Sequence, residues 1–263
     1  MEKCLILFDI DETLYLNRER LIPASTLAAL TKLKKAGHTL AVATGRAPFD
    51  INDTIKNLPF DFFILNNGQY VLQNDQVVYE NPIDPTTVKE LINEAAANGI
   101  HLGFSSATRS TVTGINDQIH QIYTNSDLTY PEVDPTLVET EPIFQVWFFS
   151  DDYPKYAKKY EDNVRFVPWL SNGSDVIPPN ASKAAGLLKT IEANHHQLPK
   201  KIVFFGDGAN DIELIQMADI GVAMGNAVDE LKEKADFITK NIEDDGIYYA
   251  CEQLDLFEKE RIM

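Results

Sequence analysis

Cys4-Leu5-Ile6-Leu7-Phe8-Asp9-Ile10-Asp11-Glu12-Thr13 stands near the start of the chain. Five apolar residues in a row, with no polar alternation, suit a short strand covered on both faces, as in a parallel sheet. Two carboxylates, two residues apart, follow where that strand would end. Such groups are costly beside a buried strand unless a cation or hydrogen bonds hold them. One can coordinate a hard metal while attacking phosphorus, and the other can move protons. A calcium loop counted from Asp9 requires glycine at 14 and glutamate at 20. Leu14 and Arg20 stand there, which excludes it. A pair of solvated loop aspartates is the plain alternative.

Working outward, Ser25 is expected to cap a helix running to about Ala36, with Leu27, Leu30 and Leu33 on one stripe and Gly37 as the stop. Thr39 to Thr44 (TLAVAT) reads as a strand, followed by a helical segment and a strand at Phe62 to Leu65 (FFIL). The same alternation returns late in the chain. Ser182 to Ala193 reads as helix, Lys201 to Phe205 as strand, Asp211 to Met217 as helix and Ile220 to Met224 as strand. Alternating apolar strands and amphipathic helices predict an α/β fold with a parallel sheet. The middle reads differently, with a helix near Pro85 to Asn98 and apolar runs at Phe144 to Phe149 and Val164 to Trp169. Prolines mark its junctions at Asn81-Pro82, Glu141-Pro142 and Pro178-Pro179. The expectation is a core domain made of residues 1–81 and 180–263, with an α+β domain inserted at 82–179.

The chain has 263 residues, 44% of them apolar, enough to bury a core without staples. Its two cysteines, Cys4 and Cys251, form no metal or disulfide spacing, which suits a reducing compartment. The apolar run before Asp9 is too short for a secretory segment, and no stretch is long enough for a membrane span, so a cytoplasmic protein is expected. A net charge of −17 without a basic stripe argues against a nucleic-acid partner. It would also repel an anionic substrate, unless a bound divalent cation intervenes.

Three further motifs bear on that cation. Thr44-Gly45-Arg46 follows the second strand, where a hydroxyl and the backbone N–H groups of a glycine turn can hold phosphoryl oxygens; a helix N-cap looks the same. Lys183 opens a helix, a position that is usually a solvated surface charge. Gly206-Asp207-Gly208-Ala209-Asn210-Asp211 departs from a dinucleotide fingerprint, because Asp211 replaces the third glycine. Its carboxylates and amide instead offer hard oxygen ligands for Mg²⁺, an ordinary acidic turn being the alternative. His195-His196 reads as a solvent-facing pair.

Taken in this order, DxDxT, a threonine after the second strand, the lysine and GDxxND resemble the haloacid dehalogenase superfamily. The placement of the insert resembles its Cof-like branch of sugar-phosphate phosphatases. That resemblance implies a Rossmann-like core with an α/β cap, and hydrolysis of a small phosphorylated metabolite, a sugar phosphate or cofactor phosphate. It implies that Asp9 is the nucleophile, forming an aspartyl-phosphate, and that Asp11 is the acid and base. Mg²⁺ would be held by the Asp9 side chain, the Asp11 backbone carbonyl and Asp207, supported by Asn210 and Asp211. Thr44, Gly45, Arg46 and Asn210 would contact substrate, and Lys183 would neutralise charge. The hinges would lie near Asn81-Pro82 and Pro178-Pro179, with 169–175 as candidates to touch substrate and the Asn66-Asn67-Gly68 turn lining the entrance. Two departures stand out. Glu12 occupies a position that is often glycine and would add negative charge near the metal. Asn180 stands where glycine is common and is expected to take the same left-handed backbone. A phosphomutase or phosphotransferase of the same fold, and a non-catalytic binding protein, remain alternatives.

Overall fold

The computed structural model describes residues 2–124, 129–169 and 172–258. The chain forms two compact units. The first comprises Met1–Gly45, Asp53–Tyr79 and Ser182–Met263, and the second Arg46–Asn52 with Glu80–Ala181.

The first unit begins with β1 (Cys4–Phe8), every residue of which is buried. The helix Ala24–Ala36 follows, ended by Gly37 in the left-handed conformation, whose N–H returns to Lys34 O. The helix starts after Pro23 with no side-chain cap, so Ser25 lies within the first turn rather than capping it. Thr26, Ala29, Leu30 and Leu33 are buried, whereas Leu27 is exposed. Leu30 and Leu33 thus lie on the buried face as expected, while Thr26 and Ala29 rather than Leu27 complete it. Then come β2 (Thr39–Ala43), β3 (Phe62–Leu65), β4 (Tyr70–Gln73) and β5 (Gln76–Glu80).

The second unit holds a six-stranded sheet of β6 (Leu102–Ser105), β7 (Ser110–Val112), β8 (Glu132–Val133), β9 (Gln145–Phe148), β10 (Arg165–Pro168) and β11 (Ser174–Ile177). Their order is β10-β11-β9-β6-β7-β8, antiparallel except for the β7–β8 pair. The helix Pro85–Ala97 begins where the Asp84 carboxylate accepts from the N–H groups of Thr86 and Thr87, with proline at the first helical position. This unit buries its own apolar cluster, including Leu91, Phe104, Phe148, Tyr156 and Val176. Within the 169–175 segment, Trp169 Nε1 donates to Asp175 Oδ1 at 2.9 Å. Leu170 and Ser171 lie outside the described residues.

The chain returns to the first unit through the helix Lys183–Ala193, whose start is capped by the Ser182 hydroxyl accepting from Ala185 N–H. Asn180 does not adopt the left-handed backbone expected of it; it sits in a turn closed by Ala181 N–H on Pro178 O. Strands β12 (Lys201–Gly206), β13 (Ile220–Ala223) and β14 (Phe237–Ile238) complete an eight-stranded sheet, ordered β14-β13-β12-β1-β2-β3-β4-β5. The run from β14 to β3 is parallel. Strand β1 lies between β12 and β2, paired Phe8 to Phe205 on one side and Phe8 to Val42 on the other. Chain order reverses on either side of β1, so the carboxyl ends of β12, β1, β2 and β3 meet at a crevice of the kind that binds ligands in open α/β sheets. No helix among the described residues is long and apolar enough to cross a membrane.

Candidate active site

Strand register brings the motifs together. Asp9 follows β1, Thr44 follows β2, Asn66 and Asn67 follow β3, and Asp207 follows β12. Asp9 N–H donates to Phe205 O at 2.9 Å and Thr44 N–H to Ile64 O at 2.9 Å, so the ladder extends into the site itself. Lys183 comes from the start of the helix Lys183–Ala193.

At the centre, carboxylate oxygens of Asp9, Asp207 and Asp211 lie within 4.8 Å of one another. Lys183 is completely buried, its ammonium 2.8 Å from Asp9 Oδ1 and 2.6 Å from Asp211 Oδ1. The other oxygen of Asp211 accepts from the N–H groups of Asp207 and Gly208, both at 2.9 Å. Asp211 thus spends its lone pairs shaping the loop that presents Asp207. Gly206 is required for that curl: a Cβ there would lie 2.5 Å from Asp211 Oδ2. Thr13 Oγ1 donates to Asp207 Oδ1 at 2.8 Å, a positioning bond that the sequence reading missed, the threonine of the Asp9–Thr13 motif being its one signal.

The electrostatics follow from burial. Loss of hydration pushes the Asp9 carboxyl well above its usual range; the Lys183 charge opposes this, and Asp211, Asp207 and Asp11 reinforce it. Burial, with Asp211 adding to it, pushes Asp207 up to about 7, against the Thr13 hydrogen bond. Burial disfavours the charged form of Lys183, but the carboxylates of Asp211 and Asp9 outweigh that and hold it protonated above its ordinary value. With all three carboxylates ionised against the one ammonium, two negative charges remain, which one divalent cation would balance. An all-oxygen donor set from Asp9 and Asp207 suits a hard ion such as Mg²⁺.

Asp11 is half-buried and pairs in an isolated bridge with Tyr15; its carboxylate is outside the close triad, yet its charge raises both Asp9 and Asp207. Glu12 has φ 55, which explains the suitability of glycine there. Its Oε1 accepts from Asn17 N–H at 3.2 Å, which gives the side chain a structural task in this loop. Asn210 is exposed and its amide donates to Asn67 Oδ1 at 3.0 Å. Arg46 groups with the second unit, where its guanidinium donates to Asp50 O at 3.2 Å. His195 and His196 are exposed, as expected.

Residues 6–251 match the family model of haloacid dehalogenase-like hydrolases. The protein YkrA of Bacillus subtilis (strain 168) is 37% identical over 263 residues, covering 98% of this chain and 100% of its own length. Pyridoxal phosphate phosphatase YbhA of Escherichia coli (strain K12) is 30% identical over 267 residues, covering 92% of this chain and 95% of its own. Among solved structures, the subclass IIB sugar phosphatase BT4131 superposes with a TM-score of 0.85 at 27% identity, covering 97% of this chain and 100% of that one.

Proposed function

This chain belongs to the haloacid dehalogenase-like hydrolases, and from that premise we propose that it is a Mg²⁺-dependent phosphomonoester hydrolase working through an aspartyl-phosphate on Asp9. The observation that carries the reading is the cluster of Asp9, Asp207 and Asp211, two of them buried and paired with the buried Lys183. A fold needs no such concentration of charge for stability, since apolar residues of similar volume would serve it as well or better.

In the first step an Asp9 oxygen attacks phosphorus and the bond from phosphorus to the ester oxygen breaks. Asp11 gives its proton to that departing oxygen, releasing an alcohol. In the second step Asp11 takes a proton from water as the water oxygen attacks phosphorus. The bond to Asp9 breaks, and inorganic phosphate leaves with the carboxylate restored. Asp9, Asp207 and the Asp11 carbonyl would hold Mg²⁺, with Asp211 and Asn210 shaping the loop that presents Asp207. When bound, the ion supplies positive charge to the phosphoryl oxygens and offsets the repulsion between a carboxylate and a phosphate, about 4 kcal/mol per pair of unit charges at 4 Å and an effective dielectric of 20. The Thr44 hydroxyl and the Gly45 backbone contact the phosphoryl oxygens, Asn210 the substrate, and Lys183 neutralises charge beside the nucleophile.

The substrate class follows from relatives that act on pyridoxal phosphate and on sugar phosphates: a small phosphorylated metabolite. The test is phosphate release from an aryl phosphate and from a metabolite panel, with Mg²⁺ and with chelator. Asp9→Asn is expected to lose at least about 10³-fold in kcat, the scale seen when a catalytic nucleophile is removed. Equal activity of variant and parent would refute the mechanism.

A further inference from the structure

Asn66, Asn67 and Gly68 form three consecutive left-handed residues, with φ of 48°, 52° and 93°. Both asparagines are buried. Asparagine tolerates left-handed backbone better than other residues that carry a Cβ, and here the run is buried and held by its surroundings. The contacts here are specific. Asn67 N–H donates to Thr44 O at 3.0 Å, and the Asn67 carbonyl accepts from the buried Gln69 amide at 3.2 Å. Its side-chain oxygen accepts from Asn210 Nδ2 at 3.0 Å. A Cβ on Gly45 would sit 3.3 Å from the Asn67 amide, so that amide lies flat against the glycine of the Thr44-Gly45 turn. The next residue, Gly68, approaches the start of the lysine-bearing helix so closely that a Cβ would fall 1.9 Å from Ser182 O.

We infer that Asn67 is a positioning residue for phosphoryl transfer, which sets the spacing between the Thr44-Gly45 turn and the acidic loop Gly206–Asp211. The inference rests on the phosphatase reading above. Asn67 need not touch the reacting atoms. Its backbone holds the Thr44 side of the crevice, its amide oxygen holds Asn210 one residue before Asp211, and the turn it belongs to is seated on the Lys183 helix. One buried asparagine therefore links three motifs far apart in the chain, and a hydrogen bond lost between them would loosen the geometry in which the transition state is held.

The test is a double-mutant cycle of wild type, Asn67→Gly, Asn210→Ala and the double variant. Glycine retains the left-handed backbone and removes only the amide. With an aryl phosphate and Mg²⁺, each single substitution is expected to lower kcat about tenfold with KM moved less than about threefold, and the double variant to fall no further than about twofold below the singles. The same four proteins are titrated calorimetrically with inorganic phosphate and Mg²⁺, where the same non-additivity is expected in Kd. Losses that multiply to about 100-fold, or an Asn67→Gly variant with kcat and Kd within about twofold of wild type, would overturn the inference. A wild type that binds phosphate but releases none from the ester would overturn the hydrolase reading and leave Asn67 to be judged on the calorimetric cycle. A wild type that does neither would overturn both.

Discussion

Lys183 is the single residue on which the electrostatics of the site turn. Its ammonium is the partner of both Asp9 and Asp211, inside a region where none of the three reaches much water. Lys183→Met keeps the length of the side chain and removes the charge, leaving carboxylates buried without their counter-ion. In metal-free buffer this is expected to cost about 3–5 kcal/mol in urea unfolding, the range for breaking a buried ion pair. A loss below about 1 kcal/mol would mean that the carboxylates are effectively solvated. In the second unit, Asp175 offers a different test. Burial holds its carboxyl up at about 6, although hydrogen bonds from Trp169 and Gln145 pull it down. The unfolded value is about 3.9, so the folded chain binds this proton more tightly. The stabilisation is fully present below the unfolded value and is lost as pH rises through about 6. Asp175→Asn is therefore expected to raise the unfolding temperature at pH 8, by the equivalent of at most about 3 kcal/mol, with little effect at pH 4. Equal effects at both pH values would exclude titration of Asp175 as the cause.

Among elements, the contact between the 66–68 turn and the helix Lys183–Ala193 is the tightest one that bears on the site. Gly186 on that helix would, given a Cβ, meet Gly68 Cα at 2.7 Å, just as Gly68 would meet Ser182 O. Two glycines without side chains let helix and turn approach to backbone contact, and that approach brings Lys183 to the crevice. Gly68→Ala combines left-handed strain with a direct backbone clash and is expected to destabilise by about 3 kcal/mol or more, with loss of activity. Gly99→Ala is the matching control. It has φ 67 but open space around the added carbon, so it is expected to cost only the conformational part, about 1–2 kcal/mol. If the two variants unfolded alike, the close approach would not be what positions the helix. Of the strands, Cys4–Phe8, Phe62–Leu65 and Lys201–Gly206 were plain in advance, because each carries an uninterrupted apolar run (Cys4–Phe8, Phe62–Leu65 and Ile202–Phe205), whereas β4 to β8, β11 and β14, short or mixed with polar residues, offered no such run. The helix Ala24–Ala36 was readable in extent and, at Leu30 and Leu33, in facing; in its first turn contact with the rest of the fold buries Thr26 rather than Leu27.

Over the whole molecule, the insertion is the feature that invites a physical test. Residues Glu80–Ala181 carry a six-stranded sheet and an apolar cluster of their own. A segment with its own core is expected to fold when excised. Expressed alone, 80–181 should show a cooperative thermal transition and native-like near-ultraviolet circular dichroism; a chain lacking both would mean that the segment depends on the remainder for its structure. Much of the molecule's organisation was legible from residue order: three short motifs at the ends of apolar strands, a lysine opening a helix, a middle that reads as α+β, and an acidic charge that called for a cation.

What the linear chain determined by itself was which groups could do chemistry and roughly where each would leave a strand, because those properties depend on residue type and on local alternation of strand and helix. What only the tertiary structure decided was which groups meet. The left-handed turn at Asn67, the bond from Thr13 to Asp207 and the grouping of Arg46 with the second unit join positions separated by many residues or by a change of partner. Local pattern cannot report such contacts, because hydrogen bonds and ion pairs reach only about 3–4 Å and their partners are brought within that range by sheet order.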